Sequence, residues 1–342
     1  MRRILIPEAN KAILEEVEEP KSGLGEVSLK IAYCGICGSD LHAFKGEHPF
    51  VTLPATPGHE FSGTIASIGE SVLGFNIGDR VTVEPSLVCG KCYNCKIGRY
   101  NICNELRVMG CQGDGAMADY LVVPASKVIP IPNNLSMKHA TLVEPLAVGV
   151  HALKKGGNLF NKNIVIIGAG MIGLAILVSV VKAGAERIIV TDLSDERLEL
   201  AKKLGATQTI NASKLNSVKK ILEDKPYEGI DVVFECVGVE KSIRDAMDII
   251  RKGGRVVVVG VFGDEVKVNM ANVQDREQEI IGSLMYTRRD FTESVQMIAN
   301  APFSPDLFIT EIYPLEKPEE AFKAALNVKK NLKVIFEINK DN

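Results

Sequence analysis

Residues 164–181 read IVIIGAGMIGLAILVSVV. Such an unbroken apolar run is nearly long enough to cross a bilayer as one helix. Its glycines argue for a different object. Gly168, Gly170 and Gly173 stand in the spacing GxGxxG, directly after the strand-like Ile164–Ile167 and before a helix-like stretch, Met171–Ala183. A buried strand, a tight turn and a buried helix explain the apolarity without a membrane. Each glycine then has its own task. Gly168 makes the turn, Gly170 lets backbone approach a pyrophosphate, and Gly173 lets the helix pack on the strand. The N–H groups of Met171 and Ile172 would face the phosphates at the helix N-terminus.

The neighbouring sequence supports this reading. A second strand, Arg187–Thr191, ends at Asp192, at the distance where such folds place an acid on the adenosine ribose. A helix over Asp195–Leu204 and apolar strands at Asp231–Glu235 and Arg255–Gly260 follow. Strands alternating with helices, several of them runs of β-branched residues, predict a parallel sheet covered on both faces. Asp192 would repel a 2′-phosphate, which favours NAD over NADP; Arg197, if close, softens that preference. The competing reading is a buried glycine turn beside a surface aspartate.

Before residue 161 the text changes. Short segments bounded by Gly, Pro or Asp, namely Glu26–Ala32, Phe61–Ile68, Arg80–Val83 and Asp119–Val123, predict an irregular antiparallel β domain. The 342 residues suit about two domains, and 46% hydrophobic with 24% charged residues is the profile of a core-forming protein. A net charge of −3 without long runs of one sign favours neither nucleic acid nor an anionic membrane as partner. No apolar leader with a cleavage site opens the chain, so a cytoplasmic enzyme is expected.

Eight cysteines would then meet a reducing environment, where clusters more often hold metal than pair. Cys89, Cys92 and Cys95, followed by Cys103, suit a closed tetrahedral zinc site with no position for substrate. Disulfides or free thiols are the alternatives. A second constellation is Cys34-Gly-Ile-Cys37-Gly-Ser39-Asp40-Leu-His42 together with Gly58-His59-Glu60. Each motif alone is weak; both before a nucleotide-binding unit are not.

In this order, Pro57–Gly63, Gly78-Asp79-Arg80-Val81, the cysteine lobe and Gly168–Gly173 make the whole chain resemble the zinc-containing medium-chain alcohol dehydrogenases. Cys37–His42 and Glu144–His151 are most similar to the sorbitol (polyol) dehydrogenase branch. The resemblance implies a GroES-like antiparallel catalytic domain (1–147 with 285–342) and a Rossmann domain (148–284). It implies two zinc ions per chain, one catalytic on Cys37, His59 and Glu60, one structural on Cys89, Cys92, Cys95 and Cys103. Zinc would acidify the alcohol. Ser39 would carry its proton away, and His42 or Glu144 would pass it on. Hydride would go to NAD. Glu144 lies where the branch keeps a second carboxylate. Zinc with the Cys37 thiolate and Glu60 is already neutral, so Glu144 is expected to act through water or by exchange with Glu60. A homo-oligomer, dimer or tetramer, is also implied.

The substrate is expected to be a secondary alcohol of the polyol, sugar-acid or related hydroxy type, with L-threonine or 2,3-butanediol oxidation as alternatives. Met285 stands where the branch carries an arginine, beside Tyr286, which suggests a less polar pocket with Phe44 and Met109. Arg288 and Arg289 are either anion anchors or solvated. Cys34, Cys111 and Cys236 are read as small core residues.

Overall fold

The computed structural model describes residues 1–224 and 228–339. Contacts divide the chain into two compact units, Met1–Glu144 with Thr287–Asn342, and Pro145–Tyr286.

In the first unit, β1 (Glu26–Gly35) leads into α1 (Gly38–Phe44), then β2 (Glu60–Ile68), β3 (Arg80–Val83), β4 (Tyr120–Pro124) and β5 (Val128–Pro130). The helix α2 (Val143–Gly156) begins at the boundary of the two units.

The second unit runs β6 (Asn163–Ile167), α3 (Met171–Lys182), β7 (Arg187–Asp192), α4 (Asp195–Lys203), β8 (Gln208–Asn211), β9 (Ile230–Glu235), α5 (Glu240–Ile249), β10 (Ile250–Val258) and β11 (Glu279–Gly282). The chain then returns to the first unit as α6 (Arg288–Ala299), β12 (Ile309–Pro314) and β13 (Lys333–Glu337).

The first sheet has the order β12-β13-β1-β2-β3-β5, with β4 also paired to β1. All its pairs are antiparallel except β12 with β13. β1 is central and buried on both faces, which is why its sequence does not alternate cleanly. Its register sets Gly35 opposite Glu60 on one side and Ile335 on the other. The core of this unit gathers Val27, Leu29, Ile31, Phe61, Val81 and Phe336.

The second sheet is six parallel strands in the order β8-β7-β6-β9-β10-β11. Residues 164–181 thus resolve as the end of β6, a glycine turn and most of α3. Twelve helical residues span ~18 Å, and among the described residues no helix is long and apolar enough to cross a membrane. Every residue of β6 is buried, as expected for a strand covered on both faces.

Candidate metal centres and dinucleotide cradle

Cys37 is the N-cap of α1, just past the end of β1, while Glu60 opens β2 and His59 immediately precedes it. The β1–β2 pairing therefore brings together residues distant in sequence. The Cys37 sulfur, a His59 ring nitrogen and a Glu60 carboxylate oxygen lie within 4.8 Å of one another. Sulfur, nitrogen and oxygen donors in a group of three match an open zinc site, in which the fourth position is left to water or substrate.

Asp40, three residues after Cys37, supports this group from behind. It is buried and accepts from the backbone N–H groups of Cys37 (2.8 Å) and Gly58 (3.2 Å). Its Oδ1 also faces His59 Nδ1 at 3.7 Å, and that nitrogen has no hydrogen-bond partner among the described residues. Burial pulls the His59 pKa down, but Asp40 and the Cys111 and Cys37 thiols outweigh it and leave it well above its ordinary value. A pocket that favours a cationic imidazole has the field a divalent cation requires. Cys111 is therefore no plain core residue: it is only half-buried and its thiol bonds with His59. Cys34, by contrast, is fully buried as expected.

Lys333 is the residue the sequence did not announce. From the start of β13 its Nζ donates to both Glu60 oxygens, at 2.7 and 2.5 Å, with both side chains buried. Burial lowers the Lys333 pKa, but Glu60, Cys37 and Glu144 more than offset this and raise it above its ordinary value. Glu144, near the start of α2, is 9% exposed and close enough to act on Lys333 electrostatically. Ser39 and His42 lie one turn apart on α1. Ser39 is half-buried, while His42 is exposed, 3.9 Å from Glu47.

The pocket expectations need two corrections. Phe44 does not line a pocket: it is 2% exposed and stacks on Phe322 at 4.9 Å within the core. On a helix, residues two apart point to different sides, so an exposed His42 sends Phe44 inward. Arg288 is not a free anion anchor, since its guanidinium donates to the Ser126 (2.5 Å) and Val128 (2.8 Å) carbonyls, and its backbone N–H meets the Tyr100 hydroxyl. Met109 is buried, Tyr286 is fully buried, and Arg289 is exposed.

Cys89, Cys92, Cys95 and Cys103 form the second cluster. Four of their sulfur–sulfur separations are 3.5, 3.5, 3.9 and 4.0 Å. Four thiolates at ~2.3 Å from a tetrahedral zinc would stand roughly 3.8 Å apart, whereas a disulfide needs about 2.05 Å. Backbone N–H groups of Cys92, Cys89 and Glu105 donate to these sulfurs. Hydrogen bonds from the Asn104 and Cys95 backbone lower the Cys92 pKa to about 6, while burial first and its thiol neighbours next push Cys95 to about 12.

In the second unit, Gly168 adopts φ +100°, a left-handed turn conformation that glycine takes without strain. A Cβ on Gly173 would overlap the Gly168 carbonyl, so helix and strand meet there only without a side chain. A Cβ on Gly170 would meet nothing nearer than an Arg197 guanidinium nitrogen at 3.9 Å. The space over Gly170 is thus open, as a cradle for a pyrophosphate must be, and Arg197 borders it. Gly170 caps α3, with Met171 and Ile172 half-buried behind it. Asp192, at the end of β7, accepts from Ala169 N at 2.7 Å and Ser194 N at 2.9 Å. It therefore shapes the loop that carries Gly168 and Gly170.

Two family models match: the alcohol dehydrogenase GroES-like domain over residues 23–133, and zinc-binding dehydrogenase over 171–300. The sorbitol dehydrogenase of Bacillus subtilis is 34% identical, over 99% of this chain and 98% of its own. Among solved structures, a zinc-binding dehydrogenase of Sinorhizobium meliloti bound to NADP is similar with a TM-score of 0.90 and 29% identity, over 98% of each chain. An alcohol dehydrogenase of Escherichia coli complexed with NADH gives 0.92 and 30%, over 98% of this chain and 99% of that one.

Proposed function

Because the chain belongs to the zinc-type alcohol dehydrogenases, we propose that it interconverts a secondary alcohol of the polyol or sugar-acid kind and its ketone, with NAD(H) and two zinc ions per chain. The observation that carries this reading is the contrast between the two clusters. Three donors of mixed type, on Cys37, His59 and Glu60, leave a position for substrate, whereas the four sulfurs leave none. When bound, zinc polarises the substrate oxygen and the nicotinamide takes up hydride.

The chain's own residues do the remainder. Cys37, His59 and Glu60 hold the ion, and Asp40 orients the His59 ring from behind. Ser39 takes the substrate proton, and His42, exposed on α1, gives it a route to water. Glu144 works beside the ion without being a permanent ligand. Gly168, Gly170 and Gly173, with the N–H groups of Met171 and Ile172, cradle the pyrophosphate, and Asp192 binds the ribose. Arg197, at the rim of that cradle, moderates the preference for NAD over NADP.

The homo-oligomer and the cytoplasmic setting, with its reduced thiols, belong to the same proposal. The test is turnover of the zinc-replete protein with polyols, sugar acids, sugar phosphates, diols and L-threonine, each with NAD and NADP. The expected result is a secondary-alcohol substrate with NAD, lost in Cys37→Ala. Asp192→Ala should raise KM for NAD by ~10–100-fold, the worth of hydrogen bonds to a charged group. Turnover that survives Cys37→Ala would overturn the metal assignment.

A further inference from the structure

Lys333 and Glu60 stand on opposite neighbours of β1, and their side chains meet across it at Gly35. A Cβ on Gly35 would overlap Glu60 Oε2 and crowd Glu60 Cβ at 3.2 Å. The missing side chain is the passage through which the carboxylate reaches β13. There the Lys333 ammonium places its three donors on both Glu60 oxygens and on the Ile36 carbonyl, at 2.7, 2.5 and 3.2 Å. With side chains 3% and 1% exposed, the pair is shielded from water.

We propose that Lys333 is a positioning residue for Glu60, holding its carboxylate in the metal-free protein and sharing it with the ion in the loaded one. This rests on the reading of Cys37, His59 and Glu60 as the ligands of one zinc.

The arrangement also sets a competition. A carboxylate has lone pairs for both partners, but the ammonium repels the ion it sits beside. Removing the ammonium leaves Glu60 buried and uncompensated in the metal-free protein, which is costly. Zinc binding then relieves that cost. The catalytic zinc should therefore be held more tightly when Lys333 is neutralised, even though the metal-free protein becomes less stable. A residue that merely packs would move both quantities in the same direction.

The experiment follows zinc loss from the loaded full-length protein to an excess of a chromogenic chelator, with melting of loaded and metal-free forms alongside. Cys37→Ala identifies which zinc belongs to the catalytic site. Lys333→Met should retain that zinc about 10-fold longer, the scale of effects from groups behind metal ligands, while its metal-free Tm falls. Lys333→Gln keeps a hydrogen bond without the charge; it should retain zinc in the same sense with a smaller fall in Tm. Lys333→Arg should release zinc at nearly the wild-type rate. Faster or unchanged zinc loss in both neutral variants overturns the proposal. If Cys37→Ala binds as much zinc as the wild type, the ligand assignment itself falls, and this proposal with it.

Discussion

His59 has the Asp40 carboxylate facing its Nδ1 at 3.7 Å and the Cys111 and Cys37 thiols as neighbours. That setting gives Asp40 a task that can be measured. Asp40→Asn keeps the shape and one acceptor oxygen, but it sets an amide NH2 against one of the Cys37 and Gly58 N–H groups and removes the charge facing His59 Nδ1. Weakening a partner behind a metal ligand costs ~10–100-fold in affinity. The variant should fold, keep its four-cysteine zinc, and lose the catalytic zinc to a chelator at least ~10-fold faster. Unchanged release would mean that Asp40 only caps α1. The effect is opposite in sign to that expected at Lys333, so the two residues separate support of a ligand from competition for one. At this scale the sequence was most informative where spacing alone carries the chemistry. Cys89, Cys92, Cys95 and Cys103 close a cluster through local turns, and Cys37 and His59 were legible through their motifs. Phe44 was misread because two residues along a helix reverse the direction a side chain faces. Asp40 gives no such signal in sequence, because an acid in a first helical turn is ordinary.

Elements explain why Lys333 escaped notice. Its contact with Glu60 spans 273 residues and exists only because β13 pairs with β1 after the chain has left and re-entered the first unit. A lysine entering the apolar strand KVIFE was the available signal, since a cation there needs a buried partner. By contrast, β6, α3 and β7 announce themselves through runs of apolar residues that one covered sheet requires. β12, which alternates half-buried and exposed residues, carries no such run. A similar long-range tether joins the short helix Met137–Ala140 to the turn Pro305–Leu307. Lys138 and His139 both reach Asp306, at 2.7 and 3.0 Å. Hydrogen bonds from Lys138 first and His139 next hold the Asp306 carboxyl at about 2, below its ordinary 3.8. The folded protein binds that proton less readily than the unfolded chain. The stabilisation is therefore present above about pH 4 and is lost as pH falls toward about 2. Asp306 is 55% exposed, so solvent screening reduces its worth to about 0.5 kcal/mol. Asp306→Asn should lower Tm by about 1 °C near neutral pH, and the difference from wild type should shrink below about pH 4. A difference that persists there would assign the effect to shape instead of charge.

For the molecule as a whole, the two ends of the parallel sheet are not alike. β8, at one end, reads QTIN, whereas β11, at the other, reads EIIG and is followed by the exposed Leu284. Ile280 is 39% exposed, and Val261, just beyond β10, is 89% exposed. An edge strand whose free backbone groups are flanked by apolar side chains is a template for another strand. Water gains little from either feature, and a second copy of the chain would satisfy both. Two-fold pairing is the natural geometry, because a strand meeting its own copy about a two-fold axis runs antiparallel and closes the assembly. The homo-oligomer is thus expected to form through β11. Ile280→Lys places a charge at the centre of that edge, one of the means by which natural sheets keep edges apart. Light scattering during gel filtration should show the wild type at a multiple of its 37.1 kDa chain mass and the variant at a lower multiple. The substitution lies in the second unit, so zinc bound to the Cys37 and Cys89 clusters of the first should stay unchanged per chain. If Ile280→Lys leaves the mass unchanged, while a charge introduced at another exposed apolar site such as Leu73 lowers it, then assembly uses a different surface, and the apolar edge of β11 requires another explanation.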